Sequence, residues 1–300
     1  MKMNRLGSSE LIVGEIGLGC MSLGTEESNA IAIVHEALER GVNLLDTADL
    51  YDGGRNEEIV GKAIRGRRDR VVLATKVGNR RIPGREGWSW DASKAHILSA
   101  VKDSLRRLDT DYIDLYQLHG GTIEDPIDET IEAFEQLKHE GVIREYGISS
   151  IRPNVIREYV SRSALVSVMN PYSIVDRRGE ETVFPLLQEQ RIGVIARGPL
   201  ASGALAANRR TDKGVLDYEL AELLELRRRL QELETPERSL TQLAIRYSLA
   251  HPAVAAAIPG ASSREQLLQN LAAAEVPELT AEEVETVRRL SKANVYTLHR

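Results

Sequence analysis

Eight short apolar runs, each followed by a longer segment with helical spacing, constrain the fold of this chain more than any other feature. The predicted strands are 16–18, 43–46, 71–76, 112–119, 142–149, 166–170, 193–197 and 255–258. Strands that are apolar on both faces indicate a parallel sheet covered by helices, and eight repeats favour closure into a (β/α)8 TIM barrel. A doubly wound open sheet is the alternative.

Helical spacing fills the intervals between these runs. Ile97, Val101, Leu105 and Leu108 keep one apolar face toward a sheet because they are spaced by three or four residues. An N-terminal β-hairpin is predicted over 5–13, with its turn at 7–9. Further helices are predicted to begin near Asn29, Asn56, Asp128, Pro153, Glu180, Ser239 and Arg264.

One segment interrupts the alternation after the seventh strand. Residues 200–237 contain a stretch rich in Gly, Ala, Ser and Asn, followed by a charged helix over 218–233. We interpret it as a long helical insertion, either a solvated surface helix or a lid over the site. The whole chain, 1–300, is expected to form a single domain.

Charge and composition exclude several classes of protein. The net charge of −6 provides no basic field for a nucleic-acid backbone. Cys20 is the only cysteine, so neither an internal disulfide nor a thiolate metal cluster can form, and we expect no metal site. Neither a signal-peptide apolar region nor a run of about 20 apolar residues is present. We expect a soluble, cytoplasmic protein with no evident protein partner.

Polar residues stand where three of the predicted strands end. Asp46, Lys76 and His119 close the second, third and fourth strands, and Tyr51 follows Asp46 by five residues. Each alone would be an ordinary surface or loop residue. In a parallel barrel, however, the carboxyl ends of neighbouring strands meet at one mouth. The conjunction predicts a proton-transfer site.

The charges of these residues suggest their roles. A phenol normally ionises near pH ~10, and a lysine cation beside it is expected to lower the pKa of Tyr51. Asp46 is expected to be the counter-ion that keeps Lys76 charged and oriented. His119 can donate a hydrogen bond to a substrate carbonyl oxygen or to Tyr51, while Tyr51 delivers the proton.

A reaction that protonates a carbonyl also needs a hydride, so the sequence should also contain a nucleotide site. Residues 14–24 superficially match a dinucleotide glycine loop, but the G-x-G-x-x-G spacing is absent. Glycine there is better explained by a backbone that approaches a ligand closely at Gly19, Cys20 and Met21.

A stronger phosphate candidate lies at 257–270. A strand turns through Pro259 and Gly260 into a helix that begins near Ser262 or Ser263. The free N–H groups of a helix start, together with Arg264, would suit a 2′-phosphate. An ordinary serine N-cap is the alternative.

The order and spacing of seven motifs resemble the aldo-keto reductase family, particularly its bacterial members. They are GLGCMSLG, GVNLLDTADLYDGGRNEEIVGKAI, LATKVG, DYIDLYQLH, GVIREYGISS, RGPLASGAL and IPGASSREQLLQN. The resemblance implies a barrel that binds NADPH (NADP+) without a Rossmann fold and reduces aldehydes or ketones, its small-molecule carbonyl substrates, to alcohols. It also implies that Tyr51 is the general acid, that Lys76 and Asp46 tune it, and that His119 orients the carbonyl.

The resemblance further implies a set of cofactor-binding positions. Ser149, Ser150 and Met169 stand where the family holds the nicotinamide amide. The remaining positions are Gly19, Cys20, Met21 and Asp46 near the mouth, Arg197, Gly198, Pro199, Leu200 and Gly203 beneath the nicotinamide and pyrophosphate, and Gly260, Ser262, Arg264, Gln266 and Asn270 around the 2′-phosphate.

Three of these positions depart from the usual pattern. Ser150 replaces an asparagine, Met169 replaces a glutamine, and Arg197 replaces an aromatic residue. Asn170 is a candidate to supply the missing amide contact, and the guanidinium plane of Arg197 can stack on a ring.

Substrate selectivity is expected in the loops that follow the strands. Trp88, on the loop after the third strand, is our candidate for a wall of the substrate pocket, and Trp90 is its neighbour. Two other functions are compatible with the sequence. One is a regulatory barrel that binds NADPH with little turnover, and the other is an isomerase or aldolase that uses Lys76 as a Schiff base.

Overall fold

The structure, a computed structural model, describes residues 1–81 and 87–300, without the side chain of Arg81. It opens with an antiparallel hairpin of β1 (Met3–Arg5) and β2 (Ile12–Gly14), which confirms the predicted hairpin. A second hairpin, β6 (Asn79–Arg81) and β7 (Trp88–Trp90), was not predicted. The other strands are β3 (Leu18–Gly19), β4 (Leu44–Asp46), β5 (Val72–Val77), β8 (Ile113–Leu118), β9 (Ile143–Ser149), β10 (Ser167–Pro171), β11 (Gly193–Arg197) and β12 (Val254–Ile258).

These eight strands form one parallel sheet in chain order, from β3 to β12. Parallel bridges from Ile16 to Ala257 and from Gly19 to Gly260 join the first strand to the last. The (β/α)8 barrel expected from the sequence is therefore confirmed. A Cβ atom at Gly19 would lie 3.0 Å from the carbonyl oxygen of Ile258. A side chain is therefore excluded at Gly19 where the barrel closes, and the close approach of its backbone to a ligand stays a prediction.

Helices follow the barrel strands, and most begin within two residues of the predicted positions. Their bounds are α1 (Glu27–Glu39), α2 (Arg55–Ile64), α3 (Lys94–Leu108), α4 (Ile127–His139), α5 (Pro153–Arg162), α6 (Val183–Glu189), α7 (Leu220–Gln231), α8 (Leu240–Leu249), α9 (Arg264–Leu271) and α10 (Ala281–Leu290). The helix expected near Glu180 begins at Val183, after a 3₁₀ turn at Arg178–Glu180. We did not predict α10, although the reciprocal capping bonds of Thr280 and Glu283 mark its start in the sequence.

Two apolar layers position the site. The larger lies between the sheet and the helices. The smaller fills the barrel and includes Met169 and Ile195, together with Leu6 and Leu11 of the N-terminal hairpin segment. Because that segment packs into the interior cluster, it covers one end of the barrel and leaves the mouth at the carboxyl ends of the strands. No helix of the described residues is long and apolar enough to cross a membrane.

The insertion after β11 is anchored to the barrel by its helix. Leu223, Leu226 and Leu230 of α7 are buried, whereas most other residues of α7 are exposed, so α7 is a surface helix with one packed face. Arg227 is also buried and donates hydrogen bonds to the carbonyl oxygens of Ala204 and Ala206. This arginine therefore connects the irregular part of the insertion to its helix.

Candidate active site

Lys76 lies at the centre of the predicted proton-transfer site. Adjacent strands place Asp46 at the end of β4 and Lys76 near the end of β5. Lys76 Nζ donates to Asp46 Oδ2 over 2.7 Å and to the carbonyl oxygen of Thr47 over 2.8 Å. Both side chains are buried. The two charges therefore satisfy each other inside the barrel mouth.

Tyr51 reaches this pair through a tight turn. Asp52, Gly53 and Gly54 all have positive φ, at 46°, 67° and 89°, a run that glycine tolerates best. The turn brings the Tyr51 hydroxyl to 3.1 Å from Lys76 Nζ, which donates to it. The DGG triplet in the sequence thus positions the tyrosine and leads directly into α2.

His119 follows β8 and lies beside Tyr51. The two ring centroids are 5.9 Å apart, with the rings nearly perpendicular at 86°. The His119 backbone N–H donates to the carbonyl oxygen of Val77 over 2.7 Å, which fixes the residue against β5. The structure therefore brings together all four residues that the sequence singled out.

Burial and charge shift the pKa values in this group. Burial raises the pKa of Tyr51 from its ordinary value, and the opposing effect of Lys76 is smaller. The expected fall in the pKa of Tyr51 is therefore wrong, and its phenol stays protonated at neutral pH. Burial alone would lower the pKa of Lys76, but Asp46 and Tyr51 outweigh it and the pKa of Lys76 is raised.

His119 is neutral in this environment. Burial, with Lys76 and Arg197 nearby, lowers the pKa of His119 to about 3. Its Nδ1 atom is buried and has no hydrogen-bond partner among the described residues. A neutral ring with an unpartnered Nδ1 is consistent with a proton on Nε2. His119 can then donate one hydrogen bond and carries no charge.

Several supporting residues were missed by the sequence analysis. Gln117 Nε2 lies 3.4 Å from the second Asp46 oxygen and donates to it. Behind Lys76, the Thr75 hydroxyl donates to Glu57 over 2.6 Å, and Glu57 pairs with Arg107. Glu57 stands in a charged helical segment whose sequence pattern indicates an exposed residue. The one signal in the sequence is that Thr75 and Lys76 are consecutive on β5, so their side chains point to opposite faces of the sheet and need different polar partners.

The positions expected to hold the nicotinamide amide lie at or near the carboxyl ends of β9 and β10. Met169 is buried and its side chain belongs to the barrel interior cluster. Asn170 Nδ2 donates to the carbonyl oxygen of Ser150 over 2.8 Å, and Asn170 Oδ1 accepts from the Tyr296 hydroxyl over 3.2 Å. Asn170 thus already has one donor and one acceptor contact within the chain, and its contact with the nicotinamide amide stays a prediction. Ser149, which is buried at the end of β9, stays a candidate for the contact with the nicotinamide amide.

The loop after β11 contributes the residues expected beneath the cofactor. Arg197 is exposed at the strand end, yet its charge acts on Asp46, Tyr51 and His119. Gly198 has a φ of 66° and open space where a Cβ atom would stand. Within the same loop, Pro199 is buried, Leu200 is half-buried and Gly203 has a φ of 93°.

The predicted phosphate region forms the start of α9. Ser263 is the N-cap and accepts from the Gln266 backbone N–H over 3.2 Å. The Ser262 hydroxyl donates to Gln266 Oε1 over 3.0 Å. Asn270, which is buried, donates to the Gly260 carbonyl oxygen over 3.0 Å. These side chains therefore hold the loop in shape and leave the helix start open to solvent.

Arg264 points toward α1 and forms an ion pair. Its Nη2 and Nε atoms each lie 3.2 Å from a carboxylate oxygen of Glu36. The side chain is nevertheless 65% exposed. An anion can therefore reach Arg264, but it would share this arginine with Glu36 or displace Glu36 from it.

The remaining candidates are Cys20 and Met21 near the mouth and the two tryptophans, and each pair has one more buried and one more exposed member. Cys20 is completely buried, and burial raises the pKa of its thiol, so only its backbone can meet a ligand. Met21 is 64% exposed. Trp88 is 52% exposed on β7, whereas Trp90 donates to Asp125 over 2.8 Å. Residues 82–86 of that same loop lie outside the described part of the chain.

A model of the aldo/keto reductase family matches residues 15–292, and the chain belongs to that family of oxidoreductases. A curated relative from Bacillus subtilis (strain 168), named uncharacterized oxidoreductase YqkF, is 56% identical over 307 residues and covers all of both chains.

Solved structures give the same result. The holo form of aldo-keto reductase AKR11C1 from Bacillus halodurans is 59% identical, with a TM-score of 0.95 over 100% of this chain and 99% of that one. An aldo/keto reductase from Klebsiella pneumoniae, solved in complex with NADP and acetate, is 31% identical, with a TM-score of 0.79 over 98% of each chain.

Proposed function

We propose that this enzyme reduces aldehydes or ketones to alcohols with NADPH, and that Tyr51 is the general acid. The observation that carries the proposal is the contact of Lys76 Nζ with both Asp46 Oδ2, at 2.7 Å, and the Tyr51 hydroxyl, at 3.1 Å. Membership of the aldo/keto reductase family supports it. The Klebsiella pneumoniae relative, solved with NADP, supports the choice of cofactor.

The residues around the mouth fit a dinucleotide. Ser149 would hold the nicotinamide amide, and Arg197 with the open backbone at Gly198 would lie beneath the ring and pyrophosphate. The start of α9, with Arg264, would hold the 2′-phosphate. When bound there, NADPH supplies the hydride.

The side chains of the site supply the proton. The neutral Tyr51 hydroxyl, whose raised pKa keeps it protonated, donates its proton to the substrate oxygen as negative charge develops there. Lys76 then stabilises the tyrosinate that remains, and Asp46 keeps Lys76 charged and in place. His119 donates one hydrogen bond to the same substrate oxygen and orients the carbonyl.

The arrangement of Lys76 argues against the Schiff-base alternative. A lysine nucleophile must be neutral, whereas Lys76 donates to three oxygen atoms and has a raised pKa. An amine that is protonated and fully engaged cannot attack a carbonyl carbon. Lys76 is therefore better suited to stabilise charge on a neighbouring oxygen.

Replacing Tyr51 by phenylalanine tests the proposal. Tyr51→Phe should reduce the rate of carbonyl-dependent NADPH oxidation by at least about a thousandfold. Its affinity for NADPH, measured by fluorescence titration, should stay close to that of the wild type. A matched control is Tyr112→Phe, because Tyr112 lies between Arg68 and Arg144 just before β8, at the other end of that strand from His119.

The outcomes separate the competing functions. Full activity of Tyr51→Phe toward the best aldehyde would refute the acid role. NADPH binding by the wild type without turnover on any aldehyde, ketone or quinone would favour the regulatory barrel. Equal losses in Tyr51→Phe and Tyr112→Phe would show that the loss does not come from the acid.

A further inference from the structure

Arg197 is the last residue of β11 and stands at the catalytic mouth. In the sheet register it lies between Pro171 of β10 and Ile258 of β12, and it is exposed. Its guanidinium forms no hydrogen bond or ion pair within the described part of the chain, and Asp176, a carboxylate on the loop after β10, is already paired with Arg178. The charge of Arg197 is therefore available to a ligand in the mouth.

The charged groups deeper in the mouth compensate each other. Lys76 Nζ lies 2.7 Å from Asp46 Oδ2, and both side chains are buried. Burial raises the pKa of Tyr51, which stays protonated, and lowers the pKa of His119, which stays neutral. After burial and Lys76, the charge of Arg197 also acts on the pKa values of Asp46, Tyr51 and His119. This guanidinium is thus close enough to influence charge that develops at the proposed reacting atoms.

The position of the proton donor restricts the position of the hydride donor. The substrate oxygen must lie within hydrogen-bond reach of the Tyr51 hydroxyl, and reacting atoms approach to about 3–3.5 Å before transfer. The nicotinamide ring proposed above must therefore lie beside the substrate carbonyl, in the region that the charge of Arg197 reaches. Gly198 has a φ of 66° and open space where a Cβ atom would stand, which leaves room next to Arg197.

The charge of a nicotinamide ring depends on its oxidation state. The ring is neutral in NADPH, and it carries one positive charge in NADP+ because the hydride leaves with its electron pair. A guanidinium plane can lie against a neutral ring, whereas it repels a ring of like charge. An uncharged side chain at position 197 would not distinguish the two forms in this way.

We propose that Arg197 discriminates between the two oxidation states of the cofactor, favouring the binding of NADPH and the release of NADP+. The inference rests on the function proposed above. In that reaction the hydride passes to the carbonyl carbon and the Tyr51 proton passes to the oxygen, which leaves an alcohol, NADP+ and the tyrosinate. Because the ring becomes positive only as the hydride leaves, the repulsion by Arg197 acts mainly on the complex with the product.

Titration calorimetry of the full chain with NADPH and with NADP+ tests this role at constant ionic strength. We expect the wild type to bind NADPH more tightly than NADP+. Arg197→Gln should lower the ratio of the NADP+ dissociation constant to the NADPH dissociation constant about fivefold, because a like charge is removed from beside the oxidised ring. Arg197→Lys keeps the charge and should keep most of this ratio.

Arg264→Gln is the matched control. Arg264 is also exposed, at the start of α9, where the 2′-phosphate is proposed to bind. Because NADPH and NADP+ both carry that phosphate, Arg264→Gln should weaken the binding of both forms alike and leave the ratio unchanged. A fall in the ratio as large as that in Arg197→Gln would contradict a local effect of Arg197.

Several other results would overturn the proposal. One is equal affinity of the wild type for NADPH and NADP+. Another is an unchanged ratio in Arg197→Gln, and a parallel loss of both affinities would then indicate that the guanidinium binds the pyrophosphate. A fall in Arg197→Lys equal to that in Arg197→Gln would show that shape and not charge discriminates. If the wild type still oxidised NADPH with an aldehyde, these results would leave the proposed function standing, whereas a wild type that binds neither form would refute both.

Discussion

The two sides of the barrel mouth differ in what their polar side chains contact. On the side of β4, β5 and β8, Lys76 binds both Asp46 and Tyr51. On the side of β10 to β12, Asn170 binds the C-terminal segment and Arg264 binds Glu36. The proton-transfer side is therefore already arranged for its chemistry, which is the condition for strong electrostatic catalysis. If the start of α9 holds the 2′-phosphate as proposed, the ligand there would share Arg264 with Glu36 or displace Glu36.

The largest effect is expected from replacing Lys76, which holds the Asp46 and Tyr51 side of the mouth together. Lys76→Met leaves Asp46 buried without its counter-ion, which should lower the free energy of unfolding by about 3–5 kcal/mol. It should also reduce carbonyl reduction at least about a hundredfold. Urea denaturation and NADPH oxidation measure the two losses. Adding Asp46→Asn should restore much of the stability but none of the activity, and recovery of both would contradict the assigned roles.

The pH dependence of the free energy of unfolding should show that His119 is neutral in the folded protein. The folded pKa is about 3 and the ordinary value 6.5, so between these values the unfolded chain binds the proton and the folded chain does not. The free energy of unfolding should therefore fall as the pH drops, by up to about 2 kcal/mol between pH ~6.5 and pH ~5 from this residue. His119→Gln should flatten the curve by that amount, whereas exposed His139→Gln should not. Identical curves for both variants would refute the shift.

Arg264 tests the exchange of partners on the cofactor side. Arg264→Ala should weaken NADPH binding roughly tenfold and leave NADH binding unchanged, because only NADPH carries the 2′-phosphate. Glu36→Gln removes the competing carboxylate and should tighten NADPH binding. Fluorescence titration with both cofactors measures these changes. Equal effects of Arg264→Ala on NADPH and NADH would exclude the 2′-phosphate role.

The smallest expected effect concerns Tyr296. Tyr296→Phe leaves the buried Asn170 Oδ1 without its donor, which should cost about 1 kcal/mol of stability and raise the Michaelis constant for NADPH a few-fold. A cycle with Asn170→Ala should show a coupling energy of similar size. Strict additivity in that cycle would mean that the contact has no energetic role, and the cofactor side would then be less constrained than we infer.

The sequence predicted the proton-transfer side well because its residues stand at the ends of buried strands. In the sequence, a strand end is the point where an apolar run stops. In a parallel barrel the carboxyl ends of neighbouring strands meet at one mouth, so these residues become neighbours. The fall in the pKa of Tyr51 was wrong because burial cannot be read from a motif. Glu57 was missed because it stands in a charged helical segment, where nothing local marks a carboxylate that is buried against Thr75.

The cofactor side was predicted less well for a related reason. Whether Met169 and Asn170 point toward the mouth depends on strand register, which the sequence does not reveal. The partners of Asn170 and Arg264 are Tyr296 and Glu36, 126 and 228 residues away. Long-range pairings of this kind leave no local signal in the sequence.

The C-terminal segment has a consequence for handling the enzyme. Tyr296 contacts Asn170, Asn294 Nδ2 donates to the Val175 carbonyl oxygen, and the His299 carbonyl oxygen accepts from the Asn154 backbone N–H. The last seven residues, 294–300, thus cross the loops that follow β9 and β10. An affinity tag fused there, or trimming by a carboxypeptidase, would disturb loops beside the proposed nicotinamide position. Preparations that differ only at this end should therefore differ in their apparent affinity for the cofactor.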